Sequence, residues 1–428
     1  MLRCLFALLL VQVALGSVPR KYLRDDDDLS GVDPDILDGL DDYDEEAERV
    51  KQELIDQYAR GIGDTIKSTG YPFEAYAVET EDGYILGVHR IPYSPVNGPA
   101  SNKPVVFLQH GLLCSSNDWI IPGPGKGLAY LLADLGYDVW MGNARGNSFS
   151  KNHKKLSPKK KDFWDFSWHQ IGYYDLPAMI DYILGATGQS SLNYVGHSQG
   201  TTSFFIMTSL RPEYNSKIRA MHALAPVAFM SNMANPFFQV IAPLLSKVSV
   251  LNKLLGTFEF LPSSKLLSLV GSALCKDESH FQAICSNFLF LLAGFDDENL
   301  NATMIPDIVK VTPAGASVNQ ILHYAQGCKS GHFRQYDYGS VKNLIKYKSL
   351  SPPDYPLTKV TAPIHLYYAN NDWMAAVKDV QILASKLPNL VYNKMVPHKK
   401  FNHLDFLWAI NVYDLLYADL IENIQKYT

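Results

Sequence analysis

Two hydrophobic patterns alternate along the chain from about residue 60, and this alternation restricts the fold more than any other feature. A hairpin pattern at 73–80 and 84–91, joined by an Asp-Gly turn, comes first. Short apolar runs such as 105–109 and 192–195 then predict buried strands, with helical patterns between them. Apolar strands separated by helices are typical of a parallel sheet covered on both faces. The sequence therefore predicts an α/β fold with a mostly parallel central sheet.

A long stretch with helical patterns and an unusually high content of Phe and Leu interrupts the alternation. It spans residues 229–347, and strand patterns resume at 364–368 and 390–396. We therefore predict one core built from residues 61–228 and 348–428. Residues 229–347 are inserted into it as a helical cap.

The two ends of the chain have patterns of their own. Residues 1–16 combine an early Arg, an apolar run and a small-residue cleavage site, which predict a secretory signal peptide rather than a membrane anchor. Residues 17–60 form an acidic segment, with fourteen Asp and Glu between positions 25 and 53. Such a segment could act as a removable prosegment or as a solubilising tail. At the other end, residues 404–424 predict one terminal helix.

Composition and charge exclude several classes of protein. Apolar residues make up 47% of the chain, which excludes a wholly disordered protein. A net charge of −5 and a pI near 6.2 give the chain no electrostatic reason to bind nucleic acid. The five cysteines form no Cys-x-x-Cys pair and no His-Glu-x-x-His motif occurs, so we predict no metal site.

A Gly-His-Ser-Gln-Gly motif at residues 196–200 follows a predicted strand and opens a predicted helix. In a nucleophile elbow, a sharp turn between a strand and a helix raises a Ser hydroxyl above the sheet, and small neighbours leave space around it. The motif alone is common, but its position between a strand and a helix is the context that an elbow requires. Ser198 is therefore the candidate nucleophile.

A nucleophilic serine needs a base and an acid that orients the base. Asp372 follows the predicted strand 364–368, so it should lie at the same edge of the sheet as Ser198. Two histidines, His398 and His403, follow the last predicted strand. The local sequence does not choose between these two as the base.

The oxyanion of an acyl-transfer reaction needs two backbone N–H donors. In an elbow, the first donor is the residue after the nucleophile, here Gln199. The second comes from the loop after the third strand, and we assign it to Leu112.

Four motifs in this order resemble the acid lipase family, which includes the gastric and lysosomal acid lipases. They are Gln-His-Gly-Leu-Leu at 109–113, Gly-His-Ser-Gln-Gly at 196–200, Asn-Asp at 371–372 and Phe-Asn-His-Leu-Asp-Phe at 401–406. The resemblance runs from about residue 60 to the C-terminus. It implies an α/β-hydrolase core with a helical cap and lid, and an enzyme that needs no cofactor. It also favours His403 over His398 as the base.

The resemblance also carries expectations about modification and compartment. It implies a disulfide between Cys275 and Cys285 near the lid and leaves Cys114 and Cys328 as free thiols. The sequon at Asn301 matches a glycosylation position of the family. A single sequon favours secretion, with a lysosomal location as the alternative.

The predicted reaction is hydrolysis of the carboxylic esters of neutral lipids, triacylglycerols or cholesteryl esters, through an acyl-serine intermediate. The apolar cap should pack over Ser198 in solution and open at a lipid–water interface, so membrane contact would be peripheral rather than integral. A static cap is the alternative for this segment. For the whole chain, the alternatives are a soluble carboxylesterase or thioesterase and a lipid-binding protein without catalysis.

Overall fold

A computed structural model describes residues 49, 52–245, 258–261, 293, 294, 296 and 298–428 of the chain. The predicted signal peptide and most of the predicted acidic segment lie outside the described residues. So do Cys275, Cys285 and the middle of the predicted cap. Within the described ranges, none of the helices combines the length and the apolar character that crossing a bilayer requires.

The strands of the described residues are short, and most of them contribute to one sheet. In chain order they are β1 Glu74–Glu79, β2 Tyr84–Ile91, β3 Val105–Gln109, β4 Asp138–Gly142, β5 Asn152–His153, β6 Leu192–His197, β7 Ile218–Leu224, β8 Glu259–Phe260, β9 Ala316–Ser317, β10 Ile364–Tyr368 and β11 Leu390–Met395. The large sheet has the order β1-β2-β4-β3-β6-β7-β10-β11, with β5 beside β2, whereas β8 and β9 pair with each other.

The helices connect the strands in the expected alternation. In chain order they are α1 Ile62–Ser68, α2 Leu128–Asp134, α3 Trp168–Gln170, α4 Leu176–Thr187, α5 Gln199–Leu210, α6 Pro236–Ile241, α7 Ile305–Val311, α8 Val318–Ser330, α9 Ser340–Tyr347, α10 Val377–Lys386, α11 Asp405–Trp408 and α12 Ala418–Gln425. Two π-helical turns, Ile171–Asp175 and Tyr413–Tyr417, lead directly into α4 and α12.

The sheet confirms the predicted α/β fold. From β4 through β3, β6, β7 and β10 to β11, every neighbouring pair of strands is parallel, and only the strands at the β1 end pair antiparallel. Every residue of β3, β4, β6 and β10 is buried, as expected for strands covered on both faces. Because these strands are parallel, the carboxyl ends of β3, β6, β10 and β11 lie along one edge.

The packed domain begins before residue 61, inside the stretch that the sequence assigns to the acidic segment. Residues 52–59 are helical, and the Tyr58 ring is buried in the core. The Tyr58 hydroxyl donates to the Ile85 carbonyl at 3.2 Å and accepts from Asn152 Nδ2 at 2.8 Å. These contacts tie the start of the domain to β2.

The prediction of one terminal helix from 404 to 424 is wrong. Helix α11 ends at Trp408, and helical structure resumes only at Val412. Between them Ala409 is extended and forms a bridge with Leu300, while the Ile410 N–H donates to the Asn299 carbonyl at 2.9 Å. Pairing with a distant segment therefore interrupts the helix.

The described parts of the predicted cap are mainly helical. They contain α6 to α9 and the small β8–β9 ladder, which the sequence does not predict. Tyr324 in α8 packs against Phe238 in α6, with ring centroids 5.7 Å apart, and its hydroxyl lies 3.5 Å from Thr202 Oγ1 in α5. This part of the cap thus rests on the helix that follows Ser198.

Candidate active site

Ser198 sits at a sharp turn between β6 and α5. Its backbone has φ 51° and ψ −115°, a left-handed conformation that is uncommon for a residue with a side chain. The Ser198 N–H donates to the Leu224 carbonyl at the end of β7, at 3.0 Å. This geometry matches the nucleophile elbow that the motif predicts, and strained backbone of this kind occurs preferentially at functional sites.

Two glycines allow the segments around Ser198 to approach closely. A Cβ added at Gly200 would lie 2.3 Å from the Gln109 carbonyl oxygen, so the start of α5 contacts the end of β3 directly. A Cβ added at Gly111 would lie 3.2 Å from the Ser198 Cβ. The loop after β3 is therefore held against the serine.

His403 and Asp372 complete a hydrogen-bonded chain with Ser198. His403 Nε2 lies 2.8 Å from Ser198 Oγ, and His403 Nδ1 lies 2.8 Å and 2.9 Å from the two Asp372 carboxylate oxygens. All three residues are buried, at 4% to 6% exposure. An imidazole that donates to a carboxylate through Nδ1 presents Nε2 as an acceptor to the serine hydroxyl.

The Asp372 carboxylate is fixed by its own loop. Its Oδ1 accepts the N–H groups of Met374 and Ala375, at 2.8 Å and 2.7 Å. The Ala293 carbonyl accepts from both Trp373 N–H and His403 N–H, at 3.2 Å and 3.3 Å. One cap residue therefore joins the loop of the acid to the loop of the base.

His197, the residue before Ser198, is bonded to the backbone of His403. Its Nε2 lies 2.9 Å from the His403 carbonyl oxygen. A carbonyl can only accept, so Nε2 carries the proton of this ring. Burial and the neighbouring His403 lower the pKa of His197 well below its usual value, so the ring is neutral.

The two predicted oxyanion donors lie in segments next to Ser198. Gln199 opens α5, so its N–H precedes the first intrahelical hydrogen bond. Leu112 follows Gly111 in the loop against the serine, and in the described part of the chain its N–H has no acceptor. Both amides are thus available to a substrate oxygen.

The loop that carries Leu112 is anchored by a buried histidine. His110 Nδ1 donates to the Gly111 carbonyl at 2.7 Å, and His110 Nε2 accepts the Ala144 N–H at 3.1 Å. Burial lowers the pKa of His110 to about 4, which keeps Nε2 free to accept. This role was not predicted from the sequence, although His110 stands inside the loop motif.

Two family models and several relatives match the chain. The model described as alpha/beta hydrolase fold matches residues 104–409, and that of the partial alpha/beta-hydrolase lipase region matches residues 62–123. The chain is 41% identical to human gastric triacylglycerol lipase, over 85% of this chain and 91% of that relative. It is 40% identical to human lysosomal acid lipase/cholesteryl ester hydrolase, over 86% and 91%. The chain belongs to the acid lipase family.

Other comparisons agree with this membership. Lipase 3 of Drosophila melanogaster is 48% identical over 85% of this chain and 93% of its own length. A soluble variant of monoglyceride lipase from Saccharomyces cerevisiae has the same fold, with a TM-score of 0.50 and 17% identity over 82% of this chain and 94% of that one. As an acid lipase family member, the chain is an enzyme, a serine ester hydrolase.

The two candidate bases of this acid lipase lie in different surroundings. His398 is a neighbour of acidic residues, with Nδ1 3.8 Å from Asp296 and Nε2 3.4 Å from Glu298. Its ring also lies 3.3 Å from Asn299 Nδ2. The serine hydroxyl bonds to His403 instead.

The remaining predicted sites of this acid lipase are partly described. Asn301 is half-buried, and its side-chain oxygen accepts from Thr303 Oγ1 at 2.7 Å. Cys114 is a buried free thiol and Cys328 a half-buried one. Among the described residues, His, Cys, Asp and Glu side chains form no group of three or more that could hold a metal ion.

Proposed function

We propose that this acid lipase hydrolyses the esters of neutral lipids with Ser198 as nucleophile, His403 as base and Asp372 as the orienting acid. One observation carries the assignment, the continuous chain from Asp372 through His403 to Ser198 with each contact at 2.8 Å. Its geometry is that of the Ser-His-Asp arrangement found in several unrelated hydrolase folds.

Acylation begins when the Ser198 hydroxyl attacks the ester carbonyl. His403 Nε2 takes the hydroxyl proton, and the buried Asp372 carboxylate stabilises the imidazolium that forms. The negative charge on the carbonyl oxygen is received by the amides of Leu112 and Gln199. Each donor of this kind typically contributes a factor of about 10²–10³ to the rate.

Collapse of the tetrahedral intermediate releases the alcohol, which takes the proton from His403. Water then attacks the acyl-serine, with His403 again accepting a proton and returning it to Ser198 as the fatty acid leaves. Every proton in this cycle passes through His403 Nε2. The reaction needs no cofactor.

The neutral-lipid substrate is supported by the relatives and by the cap. Two of the relatives are named as a triacylglycerol lipase and a cholesteryl ester hydrolase. Three phenylalanines cluster in the cap. The ring centroid of Phe237 lies 5.2 Å from that of Phe238 and 5.7 Å from that of Phe260. An apolar cap that packs on the helix after the serine nucleophile suits acyl chains at a lipid–water interface, in a secreted or lysosomal compartment.

Substitution of the three residues tests the catalytic assignment. We expect Ser198→Ala, His403→Ala and Asp372→Asn each to lower kcat on emulsified triacylglycerol by at least about 10³-fold. His398→Ala is the matched control, because it removes a histidine from the same loop, and we expect activity within a few-fold of the parent. Equal losses in His398→Ala and His403→Ala would contradict the assignment.

Two further measurements separate the alternative functions. A serine-directed phosphonate should label the parent and not Ser198→Ala, whereas an unlabelled parent would indicate a lipid-binding protein without catalysis. Rates on a water-soluble ester and on the same ester as an emulsion should differ in favour of the emulsion. Equal rates would indicate a soluble carboxylesterase and a static cap.

A further inference from the structure

Helix α9, Ser340–Tyr347, presents its apolar side chains to solvent. Val341 is 75% exposed, Leu344 51% and Ile345 69%. Positions 341, 344 and 345 share one face of a helix. In a water-soluble domain this face normally turns toward the core, so α9 is inverted.

Polar contacts hold α9 in this orientation. Asn343, the buried residue of the helix, donates through Nδ2 to the Asp337 carboxylate at 2.7 Å and accepts the Tyr338 N–H at 3.0 Å. The Tyr347 hydroxyl donates to the Tyr336 carbonyl at 2.8 Å. The inner face is thus polar and satisfied, and turning the apolar face inward would break these hydrogen bonds.

The exposed apolar surface is concentrated at this helix. Twelve large hydrophobic residues are exposed in the described part of the chain, and four of them fall between positions 341 and 350. The fourth is Leu350, which is 65% exposed. We call Val341, Leu344, Ile345 and Leu350 the apolar face. Exposed apolar residues clustered in this way mark an interaction site, whereas scattered ones do not.

Three lysines border the apolar face. Residues 340–350 contain Lys342, Lys346 and Lys348 and no Asp or Glu. Lys346 donates to the Tyr338 hydroxyl at 2.9 Å. In the part of the chain that the structure describes, none of the three lysines lies in an ion pair.

A second lysine-rich stretch, 151–161, differs from α9 in its apolar content. Two of its six lysines form ion pairs, Lys151 with Glu259 and Lys154 with Glu79. In the described residues, no exposed large hydrophobic side chain lies within that stretch. Apolar side chains with unpaired lysines around them therefore distinguish α9, and they are the combination that binds to the headgroup region of a membrane.

We propose that the apolar face of α9 inserts into a lipid surface that carries anionic headgroups, while its lysines contact those headgroups. The inference rests on the proposed function in that it names the surface by which the enzyme would reach its insoluble substrate. Gln326 of α8 exchanges two hydrogen bonds of 2.9 Å with the Asp337 backbone, next to α9. Helix α8 also carries Tyr324, which reaches Thr202 in α5.

Vesicle flotation tests the proposal. The assay uses the full chain with Ser198→Ala, so that binding is measured without hydrolysis, and vesicles of phosphatidylcholine with or without phosphatidylglycerol. We expect Val341→Gln, Leu344→Gln and Ile345→Gln together to weaken binding at least about tenfold, because the inserted area is lost. Replacing the three lysines with Gln should remove the preference for phosphatidylglycerol.

Val96→Gln is the matched control, because Val96 is 77% exposed but stands apart from α9. It should leave flotation unchanged. Unfolding midpoints of the parent and the variants show whether each variant is folded. If the triple variant does not fold, the single variant Ile345→Gln is tested in its place. Unchanged flotation of the folded apolar variant would overturn the proposal.

Two further outcomes have a defined meaning. In the first, the parent does not float and is dimeric by light scattering, whereas the apolar variant is monomeric. This result would overturn the proposal in favour of a self-association surface. In the second, flotation depends on α9 but the parent hydrolyses no ester. This result would support the proposal and contradict the proposed function. Binding and catalysis can therefore fail separately.

Discussion

At the scale of single residues, the site depends on a histidine that takes no part in the proposed proton transfers. His197 Nε2 donates to the His403 carbonyl, so the residue before the nucleophile holds the backbone of the base. A displacement of about 1 Å at a reacting group can cost about 10²-fold in rate. His197 is in this sense a positioning residue.

Substitution of His197 should lower kcat more than it changes KM. We expect His197→Leu, which lacks the donor, to lose about 10²-fold in kcat on a soluble ester. His197→Gln offers an amide N–H at a similar distance from the backbone and should recover part of this loss. Equal activities of the two variants would show that the donor does not matter.

Candidate roles could be assigned to single residues from the sequence where a motif defines them. Ser198 and Gln199 follow from the elbow pattern, because its strand and helix lie in the same short stretch of sequence. His398 and His403 stand five residues apart in one loop, and no local rule separates them. The separation arises in three dimensions, because His398 lies beside Asp296 and Glu298.

At the scale of elements, the contact between β3 and α5 permits no side chain at position 200. We expect Gly200→Ala to lower the free energy of unfolding by about 1–3 kcal/mol, because the new methyl group would overlap the Gln109 carbonyl. The same overlap should distort the elbow and lower kcat/KM. Chemical denaturation and ester hydrolysis measure the two effects.

Gly185→Ala provides the matched control. Gly185 lies within α4, is exposed, and has no atom within 4 Å of an added Cβ. Alanine should stabilise the helix by up to about 1 kcal/mol and leave activity unchanged. Destabilisation of the same size in both variants would refute the steric explanation.

Elements were predictable from sequence when local pattern and tertiary environment agree. The strands β3, β6 and β10 are short runs of mainly apolar residues, and their prediction is confirmed. Strand β7 was not predicted, because Arg219 and His222 interrupt its apolar pattern. In the fold, His222 is buried with its ring centroid 4.6 Å from that of His365 in β10, a pairing that local sequence does not reveal.

At the scale of the whole molecule, buried titratable groups should set the pH dependence of stability. Burial lowers the pKa of seven of the described histidines. They are His89, His110, His169, His197, His222, His323 and His365. Each takes up a proton on unfolding below its usual pKa of about 6.5, so stability rises with pH up to that value.

Three buried carboxyl groups act in the opposite direction. Burial raises the pKa of Asp175 to about 6, of Asp118 to about 7 and of Asp405 to about 8. Each releases a proton on unfolding between about pH 4 and its folded pKa, so its contribution to stability falls over that interval. The histidines outnumber these carboxyl groups below pH 6.5, and only carboxyl groups remain above it.

The unfolding temperature should therefore be highest near pH 6.5 and fall on both sides. Asp405→Asn should flatten the alkaline decline, because an amide can donate to Asp296 as the protonated Asp405 carboxyl does, without ionising. Calorimetry from pH 4 to pH 9 on the parent and this variant measures both effects. A maximum below pH 5, or an identical alkaline decline in the variant, would disprove the assignment.

The bond between His197 and the His403 carbonyl joins positions 206 residues apart in the chain. The base loop is held further by Ala293 and by Gly294, whose carbonyl accepts from Asn402 Nδ2 at 3.0 Å. Mild heating that loosens this C-terminal segment would separate the base from the serine while the parallel strands stay paired. Enzyme activity should therefore be lost on heating before the spectroscopic signals of the sheet begin to change.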